Sequence, residues 1–251
     1  MLKLLMLNIQ RHSSTRIKTV WLSACSLVKL NLMKAIDIIY GMLYEGINVP
    51  KGEKHLLLLD IDETILSPNN ISVIKVFPDG HEASLSPEEY AKEDVVLNKK
   101  NGIKYDYREF RDVKKVANSI LTGTPILKNL KLADAHINAG WKVGILTARG
   151  LEDTIYTSIK KWLMFRDTDG ELKSIGEKIS RELVHAVNDE ATIYPGLNDF
   201  EKKANVIRKY SKIYDRVKFI DDTVPTLNKV RQMCKDEGIK NVTAVKAWGR
   251  E

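Results

Sequence analysis

The chain has 251 residues, 43% apolar and 29% charged, with 14 Gly and 7 Pro; it is long enough for one domain with a sizeable core and too short for two full ones. Two cysteines, Cys25 and Cys234, exclude a disulfide framework, and the lack of a CxxC pair excludes a zinc ribbon, so both read as reduced thiols. The net charge of +7 is concentrated at the start: residues 1–36 carry Lys3, Arg11, Arg16, Lys18, Lys29 and Lys34 and no acid, which leaves +1 for all the rest and little charge support there for a polyanion-binding surface.

Residues 1–52 read as a basic arm followed by a leading helix. The acid-free start has three readings: a transit-like or signal-like leader, a flexible basic arm, or upstream sequence before a start near Met33. Leu22-Ser23-Ala24-Cys25 resembles a lipoprotein cleavage site, but the uncharged run from Thr19 to Ala24 is too short for a signal h-region. A cytoplasmic location is therefore the expectation. No run approaches the ~18 apolar residues of a membrane span, so no integral membrane segment is expected. Apolar residues at helical spacing (Leu32, Ile36, Ile39, Leu43, Ile47) predict the amphipathic leading helix, which Asn48, Pro50 and Gly52 end.

Residues 53–251 read as the main domain. His55 to Leu59 is a short, largely apolar run that leads directly into Asp60, as a buried central strand of a parallel sheet does. Trp141 to Leu146, Leu183 to Val187, Val217 to Ile220 and Val242 to Val245 are similar strands. Helices are predicted between them over Ile126 to Ala139, Glu152 to Phe165, Phe200 to Tyr210 and Thr226 to Glu237. The alternation predicts an α/β fold, an open parallel sheet wrapped by helices, with ligands bound outside the carboxyl ends of its strands. The segment from Ser67 to about Arg111 breaks the pattern. Its β-like pieces (Ile71 to Phe77, Ile103 to Tyr107), the turn signals around Gly80 and Gly102, and a helix start at Ser86-Pro87-Glu88-Glu89 predict a small α+β insertion over the site.

Three strand ends carry the chemistry: Asp60-Ile61-Asp62-Glu63-Thr64, Thr147-Ala148-Arg149 and Asp221-Asp222-Thr223. Gathering Asp60, Asp62, Asp221 and Asp222 at one sheet edge creates repulsion that a hard divalent cation with oxygen ligands relieves, and Mg2+ suits such a site. Phosphoryl transfer then assigns the parts. Asp60 is the candidate nucleophile and Asp62 the candidate acid and base. Thr147 and Lys203 are candidates to neutralise phosphoryl oxygens, with Lys202 an open alternative to Lys203. Thr64 and Arg149 are candidate substrate contacts, while Thr223 reads as an N-cap for the helix after Pro225. His81, His136 and His185 read as surface or satisfied core residues, and Trp141 and Trp162 as packing residues. Tyr105 and Tyr107, on one face of a β-like piece, read first as packing and second as a platform for a base.

These motifs resemble the haloacid dehalogenase (HAD) superfamily of phosphatases. Its first motif stands as Leu-Leu-Leu-Leu-Asp60-Ile-Asp62-Glu-Thr64, its second as Val143-Gly-Ile-Leu-Thr147, its third as Lys203 and its fourth as Phe219-Ile220-Asp221-Asp222; the spacings of 87, 56 and 18 residues from Asp60 through Thr147 and Lys203 to Asp221 also fit. The resemblance covers about residues 53–248 and implies a Rossmann-like sheet with a small cap at about 67–111. It implies that Asp60 and Asp221 bind magnesium directly, that the backbone carbonyl of Asp62 is a further ligand and that Asp222 assists. The acid at Asp62 implies hydrolysis of a phosphate monoester rather than dehalogenation, and the small cap implies an open cleft for a nucleotide, a phosphorylated polymer end or a phosphoprotein. Asp-Ile-Asp-Glu-Thr is similar to the wording in secreted acid phosphatases of the superfamily. Leu-Thr-Ala-Arg-Gly and Phe-Ile-Asp-Asp are similar to that in small cytosolic or phage-encoded members, the preferred comparison. The expected function is a magnesium-dependent phosphomonoesterase; the alternatives are a nucleic-acid 3′- or 5′-end phosphatase and a non-catalytic binding or structural protein that keeps the fold.

Overall fold

The computed structural model describes residues 47–162, 164–166, 172–189 and 196–249. The basic arm, Cys25 and the expected leading helix up to residue 46 lie outside them. In chain order the first elements are β1 (His55–Leu59), β2 (Leu66–Ser67), β3 (Val73–Val76), β4 (Glu82–Leu85), α1 (Pro87–Ala91), α2 (Val95–Lys100), β5 (Lys104–Asp106), α3 (Val113–Leu121), β6 (Thr124–Pro125) and α4 (Leu127–Asn138). There follow β7 (Lys142–Thr147), α5 (Glu152–Trp162), β8 (Met164–Arg166), β9 (Leu172–Ser174), β10 (Val184–Ala186), α6 (Asp199–Ser211), β11 (Arg216–Asp221), α7 (Val224–Asp236) and β12 (Val242–Lys246).

Five strands form one parallel sheet in the order β10-β7-β1-β11-β12, flanked by helices. β1 is central and is buried along its whole length, which explains its continuous apolar sequence: a strand covered on both faces has no side for polar residues. Each of its buried leucines stabilises the fold by on the order of 2 kcal/mol. Leu56 and Leu58 point into a core shared with Ile207 and Tyr210 of α6 and with Leu227 and Val230 of α7, so Leu57 and Leu59 face the opposite side. Gly144 in β7 is required by close approach, because a Cβ there would collide with the Leu183 carbonyl oxygen.

The insertion is an antiparallel sheet in the order β4-β3-β5, with α1 and α2 between β4 and β5. Ser86 and Glu89 cap α1 reciprocally, each side chain accepting from the other's backbone N–H. Two differences from the sequence reading stand out. β4 was not expected, because Glu-Ala-Ser-Leu has no apolar run and is covered on one side only. The helix expected to reach Phe165 ends at Trp162, because residues 164–166 pair antiparallel with Leu172–Ser174.

On the face opposite α6 and α7, α4 places His136 against the sheet. Its Nδ1–H donates to the Leu132 carbonyl at 2.7 Å and its Nε2 accepts from the Lys218 ammonium at 3.1 Å. Trp141 packs edge-on against both His136 and His55. His136 is thus a satisfied core residue, as expected, and His185 likewise bonds the Tyr210 hydroxyl at 2.6 Å. Burial, aided by the Lys218 charge and opposed by the Leu132 hydrogen bond, pushes the His136 pKa down to about 4. The unfolded chain therefore takes up a proton near pH 6.5 that the folded chain refuses until about pH 4. Stability is expected to fall as pH drops through that window, by on the order of 3 kcal/mol in all. Urea melts at a series of pH values check this, and His136→Gln is expected to flatten the slope.

Candidate functional site

The site lies at the carboxyl edge of the parallel sheet. The ladder runs one residue past β1, since the Asp60 N–H donates to the Ile220 carbonyl at 3.0 Å, and this holds Asp60 at the edge. The chain then folds back sharply: the Ile61 carbonyl accepts from the N–H groups of Thr64, Ile65 and Leu66, with Glu63 in the left-handed region at φ 51°. That turn carries Asp62 above the strand end. From β11, Asp221 arrives wholly buried, one Oδ accepting from the Thr223 N–H at 2.7 Å.

Lys203 reaches these carboxylates from α6. Asn198 and Glu201 form a capping box that fixes the helix start, and the buried stripe then runs through Lys203, Val206, Ile207 and Tyr210. Lys203 is 3% exposed, and its Nζ lies 2.8 Å from Asp221 Oδ2 and 3.0 Å from Asp60 Oδ1. Lys202 sits a helical step around and bonds Asn188 Oδ1 at 2.6 Å. Of the two lysines left open by the sequence, Lys203 is thus the one beside Asp60 and Asp221, and helical spacing to Ile207 and Tyr210 is the signal that could have found it.

The carboxylates of Asp60, Asp221 and Asp222 bring oxygens within 4.8 Å of one another. Burial, opposed by Lys203 and reinforced by the neighbouring Asp221, Asp62 and Asp222, pushes the Asp60 carboxyl well above the usual range. For Lys203, burial favours the neutral amine, but the charges of Asp60 and Asp221 outweigh it and hold the ammonium form firmly. Burial and the Asp221 charge push Asp222 up to about 6. Asp60 Oδ1 is buried and makes no well-formed hydrogen bond, its approach to Lys203 being a charge contact alone. A buried oxygen without a well-formed hydrogen bond, beside two more carboxylates, is a donor set that fits a hard divalent cation.

Asp62 is held differently. Arg149, 2% exposed, grips both of its oxygens, Nε at 2.9 Å from Oδ2 and Nη2 at 2.6 Å from Oδ1, while Nη1 donates to Ser119 Oγ at 2.8 Å. The guanidinium also lies 5.8 Å over the ring of Phe110 from the insertion. Ser119 and Phe110 were missed in the sequence because nothing local couples them to Arg149.

A cleft of about 940 Å³ opens over these groups, lined by Asp60, Asp62, Arg149, Lys203 and Asp222 and, from the insertion, by Tyr107 and Phe110. Arg149, read as a substrate contact, thus lines the cleft with its guanidinium turned to Asp62. Thr64, read the same way, does not line it: the residue is wholly buried and its hydroxyl accepts from the Asp222 N–H at 3.1 Å, tying the β1 turn to the β11 end. Thr147 is buried at the end of β7, where its hydroxyl accepts from the Arg149 N–H at 3.3 Å. The Asp62 side chain stands apart from the three grouped carboxylates. Thr223 occupies the N-cap position of α7 without capping it, because its hydroxyl bonds Asp222 instead. Tyr105 turns its hydroxyl to Glu93 and Asn98.

No protein-family model matches the chain, and no curated protein matches it. Among the described residues, no helix is long and apolar enough to cross a membrane.

The buried guanidinium yields a stability prediction. Asp62→Ala leaves Arg149 without its carboxylate and is expected to cost about 3 kcal/mol, measured by chemical denaturation. Unchanged stability in that variant would contradict the ion pair described.

Proposed function

We propose that the chain is a magnesium-dependent phosphomonoester hydrolase with a Rossmann-like core and the insertion as a small cap, working through an aspartyl-phosphate on Asp60. The observation that carries this reading is the division of labour between two carboxylates two residues apart. Asp60 lies buried with its Oδ1 3.0 Å from the Lys203 ammonium and in no well-formed hydrogen bond, while Asp62 is gripped through both oxygens by Arg149. The first arrangement suits a nucleophile beside bound phosphate and the second a proton carrier held at a fixed angle.

The steps follow from those positions. An Asp60 oxygen attacks phosphorus, forming a P–O bond as the ester P–O bond breaks, and the departing oxygen takes a proton from Asp62. Asp62, now a carboxylate, accepts a proton from water as the water oxygen attacks phosphorus and the bond to Asp60 breaks, which frees phosphate and restores the Asp60 carboxylate and the protonated Asp62. Lys203 balances charge on the phosphoryl oxygens. Asp60, Asp221 and Asp222 would hold magnesium, which would offset their mutual repulsion and the charge of the phosphoryl group. Arg149 orients Asp62 by holding both of its carboxylate oxygens.

Two measurements test the reading. Phosphate release from a panel of nucleotides, sugar phosphates, phosphopeptides and end-phosphorylated oligonucleotides is expected to require magnesium and to fall by about 1,000-fold or more in Asp60→Asn; a flat panel from a folded protein would turn the account to a non-catalytic role. Magnesium at about a hundred times its dissociation constant is expected to stabilise the protein by about 3 kcal/mol, seen as a higher thermal midpoint that Asp221→Asn largely abolishes.

A further inference from the structure

The cleft has a wall that phosphoryl transfer itself does not require. Tyr90, Tyr107 and Phe110 line it from the insertion, and Phe200 lines it from the start of α6. Tyr107 is 38% and Phe200 37% exposed, a large apolar surface to leave beside buried carboxylates. The wall is braced: the hydroxyls of Tyr90 and Tyr107 meet at 2.5 Å with rings edge-on, and Tyr105, whose hydroxyl bonds Glu93 and Asn98, packs edge-on against Tyr90 at 5.2 Å. Rings held in place beside a phosphate site are suited to a flat, weakly polar group on the same molecule. The charge of the lining narrows the choice. Six carboxylates face four Lys or Arg side chains across the cleft, and two of those cations, Lys203 and Arg149, are already committed to Asp60, Asp221 and Asp62. A polyanion needs a surplus of cations along its backbone, which this lining lacks. A substrate with one phosphate and an uncharged planar remainder meets no such objection, and about 940 Å³ leaves room for a sugar between the two.

We infer that the site takes nucleoside monophosphates, with the phosphate at Asp60 and the base against Tyr107 and Phe200. This rests on the hydrolase reading above and sets the nucleic-acid-end alternative aside. The test compares kcat/KM of the full chain for adenosine and cytidine monophosphates, ribose phosphate, phenyl phosphate and an end-phosphorylated oligonucleotide. The mononucleotides are expected to exceed ribose phosphate by about tenfold or more. Tyr107→Ala is expected to remove most of that preference and Tyr107→Phe, which keeps the ring, to retain it. Equal rates with and without the base, or a preference for phenyl phosphate or the oligonucleotide, would overturn the inference and leave the hydrolase reading standing. Calorimetry of adenosine monophosphate with the Asp60→Asn protein in magnesium separates the two claims from the other side. Binding that Tyr107→Ala weakens supports the nucleotide site even where no phosphate is released, and no binding overturns it.

Discussion

The rest of the site depends on one constraint: Asp60 and Asp221, delivered by adjacent parallel strands, end side by side and buried. Lys203 is the fold's answer, since its ammonium lies within 3.0 Å of both. That answer is incomplete. One cation cannot balance Asp60, Asp221 and Asp222 together, and burial, reinforced by the neighbouring carboxylates, raises the pKa of Asp60 and Asp222. The donor oxygens of the three are close enough for one ion to serve all of them. The sheet supplies this arrangement cheaply, because parallel strands in register place their ends at one edge, and the helix cap at Asn198 fixes the turn from which Lys203 points inward.

Around that centre the structure separates two kinds of carboxylate. Asp60 belongs to the rigid sheet. Asp62 belongs to the turn that follows, and its position is set by Arg149 from the end of β7, by Ser119 of α3 behind it and by the Phe110 ring beside it. A residue on the insertion's last turn therefore touches the group that orients the proposed proton carrier. Any movement of the insertion on substrate entry would be felt at Asp62.

Much of the fold was legible because parallel strands buried on both faces are written as largely apolar runs: β1, β7 and β11 were each visible, with their polar ends at the site, and the partly exposed edge strand β12 was visible from its Val-Thr-Ala-Val sequence. β4 was not, since a half-exposed strand in a small antiparallel sheet carries no such run. The overrun of α5 toward Phe165 has a different cause, a pairing with β9 that local periodicity does not encode. Within the site, Asp60, Asp221, Asp222 and a lysine at 202 or 203 could be read from strand ends and a helix start. The Arg149–Asp62 ion pair joins residues 87 apart and could not be, and the burial of Thr64 behind Asp222 emerged only when β1 and β11 were seen as neighbours.

The central claim is that Asp60, and not water, attacks phosphorus first. Its most direct test is the stereochemical course at phosphorus, followed with an isotopically chiral phosphorothioate ester hydrolysed in labelled water. Two successive in-line displacements, one by Asp60 and one by water, predict net retention of configuration. Net inversion would mean a single direct attack by water and would contradict the account.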